Sequence, residues 1–174
     1  SSDICYSNVP NFEELILTKF NDKNLSSNSI SSIKDLISQN PKMGVKKLVE
    51  VMKSSEYPDK SRWLATILLG KTMGKKSSNF IAKFANHPDW ILRAASLKTL
   101  LSLQVKDRPE VYVQALKDSS LIVRDHALDS IRHLKMKDRA SYVYKMLFDQ
   151  RNYFKTKKGL KRSRLVGKAI KVLG

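Results

Sequence analysis

The sequence predicts an all-α chain of about five stacked helical hairpins, and three observations carry that prediction. First, "HPDWILRAASLKTLLSL", from His87 to Leu103, returns 31 residues later as "DSSLIVRDHALDSIRHL", from Asp118 to Leu134. Second, Arg62, Arg93 and Arg124 fall on the same step of 31, each followed at offsets 3, 7 and 10 by a small or mostly apolar residue. Those residues are Ala65, Leu69 and Thr72, then Ser96, Leu100 and Leu103, then Ala127, Ile131 and Leu134, and such offsets draw one stripe along a helix. Third, no stretch sustains the alternation expected of a strand.

The elements follow in order. Helix pairs are expected at about 11–21 with 28–39, 42–54 with 59–73, 77–86 with 89–104, 109–117 with 120–136, and 139–149 with 159–173. Pro10, Pro41, Pro58, Pro88 and Pro109 stand where a helix N-terminus tolerates a missing N–H. The first helices repeat as well: Phe80, Val111 and Tyr142 align, as do Ile81, Tyr112 and Val143, then Phe84, Ala115 and Met146, then Ala85, Leu116 and Leu147. The expected organisation is a single domain, 1–174, with repeats at about 10–40, 41–75, 76–105, 107–137 and 138–174. One hairpin of this length cannot bury its own apolar face, but a stack of hairpins can.

"DWILRAASLKTLLSL" and "SLIVRDHALDSIRHL" resemble the HEAT-repeat family in its short, phycobilisome-lyase-type form. The likeness is strongest over 56–136 and weaker over 10–54 and 138–173, where end caps depart from pattern. It implies a right-handed α-solenoid whose second helices line a concave face. It also implies an acid–arginine ladder between repeats. Glu56, His87 and Asp118 each precede an arginine by six residues, and Asp149 continues that series. Arg62, Arg93 and Arg124 are therefore expected to clamp repeats rather than bind phosphates, because a planar guanidinium forks toward two acceptors. His87 breaks the acidic series, so Arg93 is expected to use Asp118 of the next repeat or Asp89.

No transferable catalytic motif emerges. The DNA glycosylases of this repeat class imply an aspartate four residues after a tryptophan; here Ile67 follows Trp63 and Ala94 follows Trp90 at that spacing. Asp59 and Asp89 instead suit the first turn of a helix, where negative charge meets the dipole. The related bilin lyases offer no residue to carry over. "GKTMGKK" at 70–76 imitates part of a phosphate loop but follows a helix and lacks the full motif. His87, His126 and His133 have no shared phase for a metal, and the single Cys5 excludes an internal disulfide. Neither cofactor nor metal is expected.

Charge bears on the partner. The net charge is +17; residues 1–40 carry −2 and residues 151–174 carry +9 with no acid at all. On the concave face, Trp63, Ile67 and Lys71, then Ala94, Lys98 and Leu101, then Asp125, Asp129 and Arg132 are expected to be exposed, joined by Lys168 and Lys171. A surface so mixed suits a protein or peptide better than a duplex backbone, whose affinity scales with phosphates neutralised. The expected function is thus a non-catalytic scaffold or adaptor for a protein or peptide partner. The alternative is nucleic-acid binding at the basic end through Lys157, Lys158, Lys161, Arg162, Arg164, Lys168 and Lys171, with Tyr153 and Phe154 available for stacking. The competing expectation for that end is a basic capping helix with both rings tucked beneath the last repeat. No apolar run reaches the roughly 20 residues of a membrane span. The chain begins at Ser1 without methionine, so an upstream segment is expected to have been removed. The protein is expected to be soluble and monomeric, either cytoplasmic or exported after loss of a signal peptide.

Overall fold

In a computed structural model, side-chain caps and prolines start the helices close to where the sequence predicts, and the chain is all-α. The structure describes residues 11–174; Cys5 and Pro10 lie outside the described residues. The chain divides into two compact units, Ser1–Thr72 and Met73–Gly174.

The first unit holds α1 (Phe12–Phe20), α2 (Ser27–Gln39), α3 (Pro41–Lys53) and α4 (Asp59–Met73), whose last residue falls at the boundary. Asn11 caps α1 by accepting the Glu14 N–H at 2.9 Å, while the Glu14 carboxylate accepts the Asn11 N–H at 3.3 Å. Ser26 caps α2 and Asn40 caps α3, with Pro41 in the first turn. Gly44 lets α3 approach α2, since a Cβ there would sit 3.0 Å from the Ile37 side chain. Buried Ile16, Phe20, Ile33, Ile37, Leu48 and Met52 fill the space between these helices. α4 is tied in by polar bonds: Ser61 Oγ donates to Phe20 O at 2.5 Å and Arg62 Nε to Met52 O at 3.3 Å.

The second unit opens with a 3-10 turn, Gly74–Ser77, and continues through α5 (Ser78–Phe84), α6 (Trp90–Ser102), α7 (Pro109–Ala115), α8 (Leu121–His133) and α9 (Ala140–Lys145). It ends with α10 (Val166–Leu173). α5 pairs with α6, α7 with α8 and α9 with α10, while the second helices α6, α8 and α10 pack in that order. The predicted stripe is the core: Ser96, Leu100, Ala127, Ile131 and Leu134 are buried, as are Ile81, Tyr112 and Val143 from the first helices. α6 and α8 end alike. Gln104 and Lys135 turn left-handed at φ 54° and 57°. Val105 N–H then reaches back to Leu100 O at 3.1 Å and Met136 N–H to Ile131 O at 3.0 Å, and both following side chains are buried.

The last pair departs from expectation. Residues 159–165 are not helical; β1 (Tyr153–Lys155) and β2 (Lys161–Ser163) form a short antiparallel hairpin, with Tyr153 opposite Ser163 and Phe154 opposite Arg162. A helix from 159 would stack Lys161 on Arg164 and Arg164 on Lys168 at three- and four-residue spacing, which like charges oppose. Instead Gly159, at a positive φ of 77°, closes a turn by donating its N–H to Thr156 O at 2.8 Å, and the Arg164 N–H is taken by Asn152 O at 2.7 Å.

Candidate functional site

The recurring arginines sit where α6 and α8 begin, beside the turns inside each hairpin. Arg93 Nε and Nη2 grip both oxygens of Asp118 at 2.7 and 2.8 Å, and its Nη1 donates to His87 O and Pro88 O at 2.9 and 2.7 Å. Between its two expected acids, Arg93 thus takes Asp118, and His87 contributes its backbone carbonyl. Burial pushes the Asp118 carboxyl up, but the Arg93 fork, the Ser120 N–H and the Arg93 and Arg124 charges outweigh it, so it titrates below the ordinary carboxylate value. The Asp118 bond raises Arg93 in turn.

Arg124 corrects the expected ladder. Its Nη1 donates to the backbone carbonyls of Asp118 and Ser119 at 2.7 and 3.0 Å, and its Nε to Asn152 Oδ1 at 3.1 Å. The Asp118 carboxylate is already taken by Arg93, and Asp149 is captured by Arg151, whose Nη2 lies 2.6 Å from Oδ2. Arg151 also reaches Lys117 O and Asp118 O at 3.1 and 3.3 Å, so it bridges to the preceding hairpin in place of Asp149. Burial and the Arg151 charge lower the Arg124 pKa. Asn152, 1% exposed, holds Arg124 on one side and donates to Met146 O at 3.0 Å on the other. Sequence reasoning missed Asn152 and Arg151, because the inserted hairpin moves the acceptor three residues beyond the repeat count. In the first unit Arg62 is buried on Met52 O, and Glu56 is exposed, its N–H bonded to Ser54 Oγ.

The residues expected on the concave face divide between the units. In the first, Trp63 and Ile67 are half-buried, and the exposed Lys71 lines an open cleft of about 560 Å³ with Lys34, Ser38 and Leu68. In the second, Lys98 and Arg132 are exposed and Leu101 half-buried, while Ala94, expected exposed, is fully buried. Lys168, counted among the polyanion-binding residues, is instead ion-paired within the fold: its ammonium contacts Asp125 and lies 3.0 Å from Asp129. Burial opposes that ammonium, but the two carboxylate bonds prevail and raise its pKa. His126, on the same helix as both acids, is held below its ordinary pKa by burial.

The remaining polyanion candidates, Lys157, Lys158, Lys161, Arg162, Arg164 and Lys171, are exposed. Tyr153 is anchored through its hydroxyl to Leu147 O with the Lys161 ammonium 4.7 Å over its ring, and Arg164 covers the Phe154 ring at the same distance. The first part of the expected capping helix is thus replaced by a hairpin, with one ring held and the other partly exposed, while α10 keeps its second part.

Asp89 caps α6 by accepting the Ile91 N–H, and Asp59 opens α4, consistent with helix-start roles. Among the described residues, no three metal-ligating side chains gather, and no helix is long and apolar enough to cross a membrane. No protein-family profile, curated protein or solved structure matches the chain.

Proposed function

We propose that the chain is a non-catalytic binding module, a HEAT-like α-solenoid acting as a scaffold or adaptor for a protein or peptide. The observation that carries the reading is the use made of the charged groups on the second helices. Arg93 and Arg124 are committed to their neighbours, and Lys168 is shared between Asp125 and Asp129. The α8–α10 surface thus mixes Asp125, Asp129 and Lys168 with the exposed Arg132 and Lys171, and α6 adds half-buried Leu101 and exposed Lys98. Such a face offers contact area rather than a track of cations, which is what a protein surface uses.

The test compares wild type with a Leu101→Ser, Arg132→Ala variant of the second unit as affinity baits at 0.15 and 0.5 M salt. A defined protein retained by wild type at both salts and lost by the variant supports the reading. Retention that is identical for both baits overturns it.

A second reading, nucleic-acid binding through the C-terminal end, is favoured by one observation. Lys155, Lys157, Lys158, Lys161, Arg162 and Arg164 form no ion pair among the described residues. Changing Lys157, Lys158, Lys161, Arg162 and Arg164 to Gln removes nucleic-acid retention on this reading, and selective binding that survives 0.15 M salt distinguishes it from charge alone.

A further inference from the structure

Cations alone do not separate a phosphate backbone from any other anionic surface; what accompanies them does. The exposed large apolar side chains of the described chain are Met73, Trp90, Ile122, Tyr144, Phe148, Phe154, Leu160 and Ile170, and the last five belong to the final repeat. Phe148 is 64% exposed, Ile170 56% and Leu160 53%. Tyr144 and Phe148 meet edge to face at 5.2 Å, so that pair forms a patch. The same repeat carries the +9 of residues 151–174.

The register of the hairpin sorts its side chains. Opposed residues share a face, so Tyr153, Lys155, Lys161 and Ser163 lie on one side, the side anchored by Tyr153 to Leu147 O. Phe154 and Arg162 lie on the other, with Arg164 placed there by its stack on Phe154. Leu160 continues the same alternation one step toward the turn, where Thr156 N–H bonds its carbonyl at 2.9 Å. One hairpin face thus presents Phe154, Leu160, Arg162 and Arg164, and the turn beside it adds Lys157 and Lys158.

We infer that this hairpin docks on an anionic phospholipid bilayer, its two apolar residues entering the headgroup boundary while the surrounding cations meet lipid phosphates and carboxylates. Each basic residue at such a surface adds attraction that fades within a Debye length, and apolar burial adds a part that salt does not screen. An aromatic ring and a leucine between arginines satisfy both requirements. A nucleic acid would use the ring and the cations but has no partner for Leu160, Phe148 or Ile170. The inference is independent of the protein-partner reading, since none of the residues tested there lies on the hairpin. It rests on the second reading only in taking the same cations as the binding groups.

The experiment is flotation of the full chain with phosphatidylcholine vesicles, alone or with 30 mol% (about one lipid in three, enough to set a negative surface potential) phosphatidylglycerol. Wild type is expected to float with the anionic vesicles at 0.15 M salt and not with the neutral ones. A Phe154→Ser, Leu160→Ser variant keeps every charge and is expected to bind about tenfold more weakly, the loss persisting at higher salt. Lys157→Glu with Lys158→Glu, two exposed turn positions, is expected to abolish binding while the thermal melt is unchanged. Failure of wild type to float at 0.15 M salt overturns the inference, and so does equal flotation of the serine variant. Tight, salt-resistant capture of a single-stranded or duplex oligonucleotide without vesicle binding overturns it in favour of nucleic acid.

Discussion

Arg93 and Arg124 stand at equivalent positions 31 residues apart yet lean on different partners, and the difference sets what each substitution costs. Arg124, 2% exposed, satisfies two turn carbonyls and the Asn152 amide. Arg124→Ala removes a donor from Ser119 O, from the buried Asn152 Oδ1 and from Asp118 O, which keeps Arg151, so a loss of about 1–3 kcal/mol is expected in urea denaturation. Arg124→Lys recovers only part, because an ammonium cannot fork. Arg93 reads through pH as well. The Asp118 carboxyl titrates below its ordinary value in the fold, so its contribution is present above the ordinary value and is lost as pH falls through the folded one. Asp118→Asn should therefore flatten the acid limb of the stability profile. His126 acts at milder pH. Its folded pKa lies below 6.5, so under that pH the unfolded chain takes up a proton the fold refuses, and stability declines. His126→Gln should remove the decline between about pH 7 and 5, followed by urea midpoints across that range.

At the scale of elements, helix starts were legible because they are written locally. Asn11, Ser26, Asn40 and Asp89 cap, Pro41 and Pro109 open, and α8 at Leu121–His133 lies within the expected 120–136. The left-handed ends at Gln104 and Lys135 were not, since neither residue type announces positive φ. Lys135→Gly is expected to raise stability by about 0.5–1 kcal/mol, because a left-handed turn costs an exposed side chain and glycine little; a melting curve decides. The hairpin escaped local reading for a different reason. Val166, Ala169, Ile170 and Leu173 do carry helical spacing, and α10 is the result, but the preceding residues are claimed by pairing with β1. The overlooked signal was "KTKKGLK": glycine in a cationic run behind the strand-forming Tyr153 and Phe154. The same insertion explains why the ladder was half legible. Arg93 finds the acid that spacing offers, whereas Arg124 finds Asn152, which no repeat position encodes.

The whole molecule is two compact units, and each has its own buried set: Ile16, Phe20, Leu48 and Met52 in one, Leu92, Leu97, Tyr112 and Leu128 in the other. The second, Met73–Gly174, is long enough to bury a core unaided. Expressed alone it is expected to keep a helical circular dichroism spectrum and a cooperative melt; a featureless melt would show that it depends on the rest of the chain. Within that unit α6, α8 and α10 follow one another in contact, so order should be lost from the α10 end before it is lost at α8. Hydrogen exchange tests this by comparing amides of α10 with those of α8. Amides of α8 that exchange first would reverse that order.

The turn between β1 and β2 also has a consequence for proteolysis. Lys157 and Lys158 stand exposed beside Gly159 at the tip of a short hairpin, with α10 packed on α8 and α9 behind them. Trypsin should nick there before any other bond among the described residues, because an exposed, cationic loop tip can enter the protease cleft without unfolding the rest. The two pieces should then stay together in native buffer and separate only in denaturant, held by the helix that follows the cut. That single early cleavage gives a clock: whatever covers the hairpin slows it, and whatever binds elsewhere leaves its rate untouched.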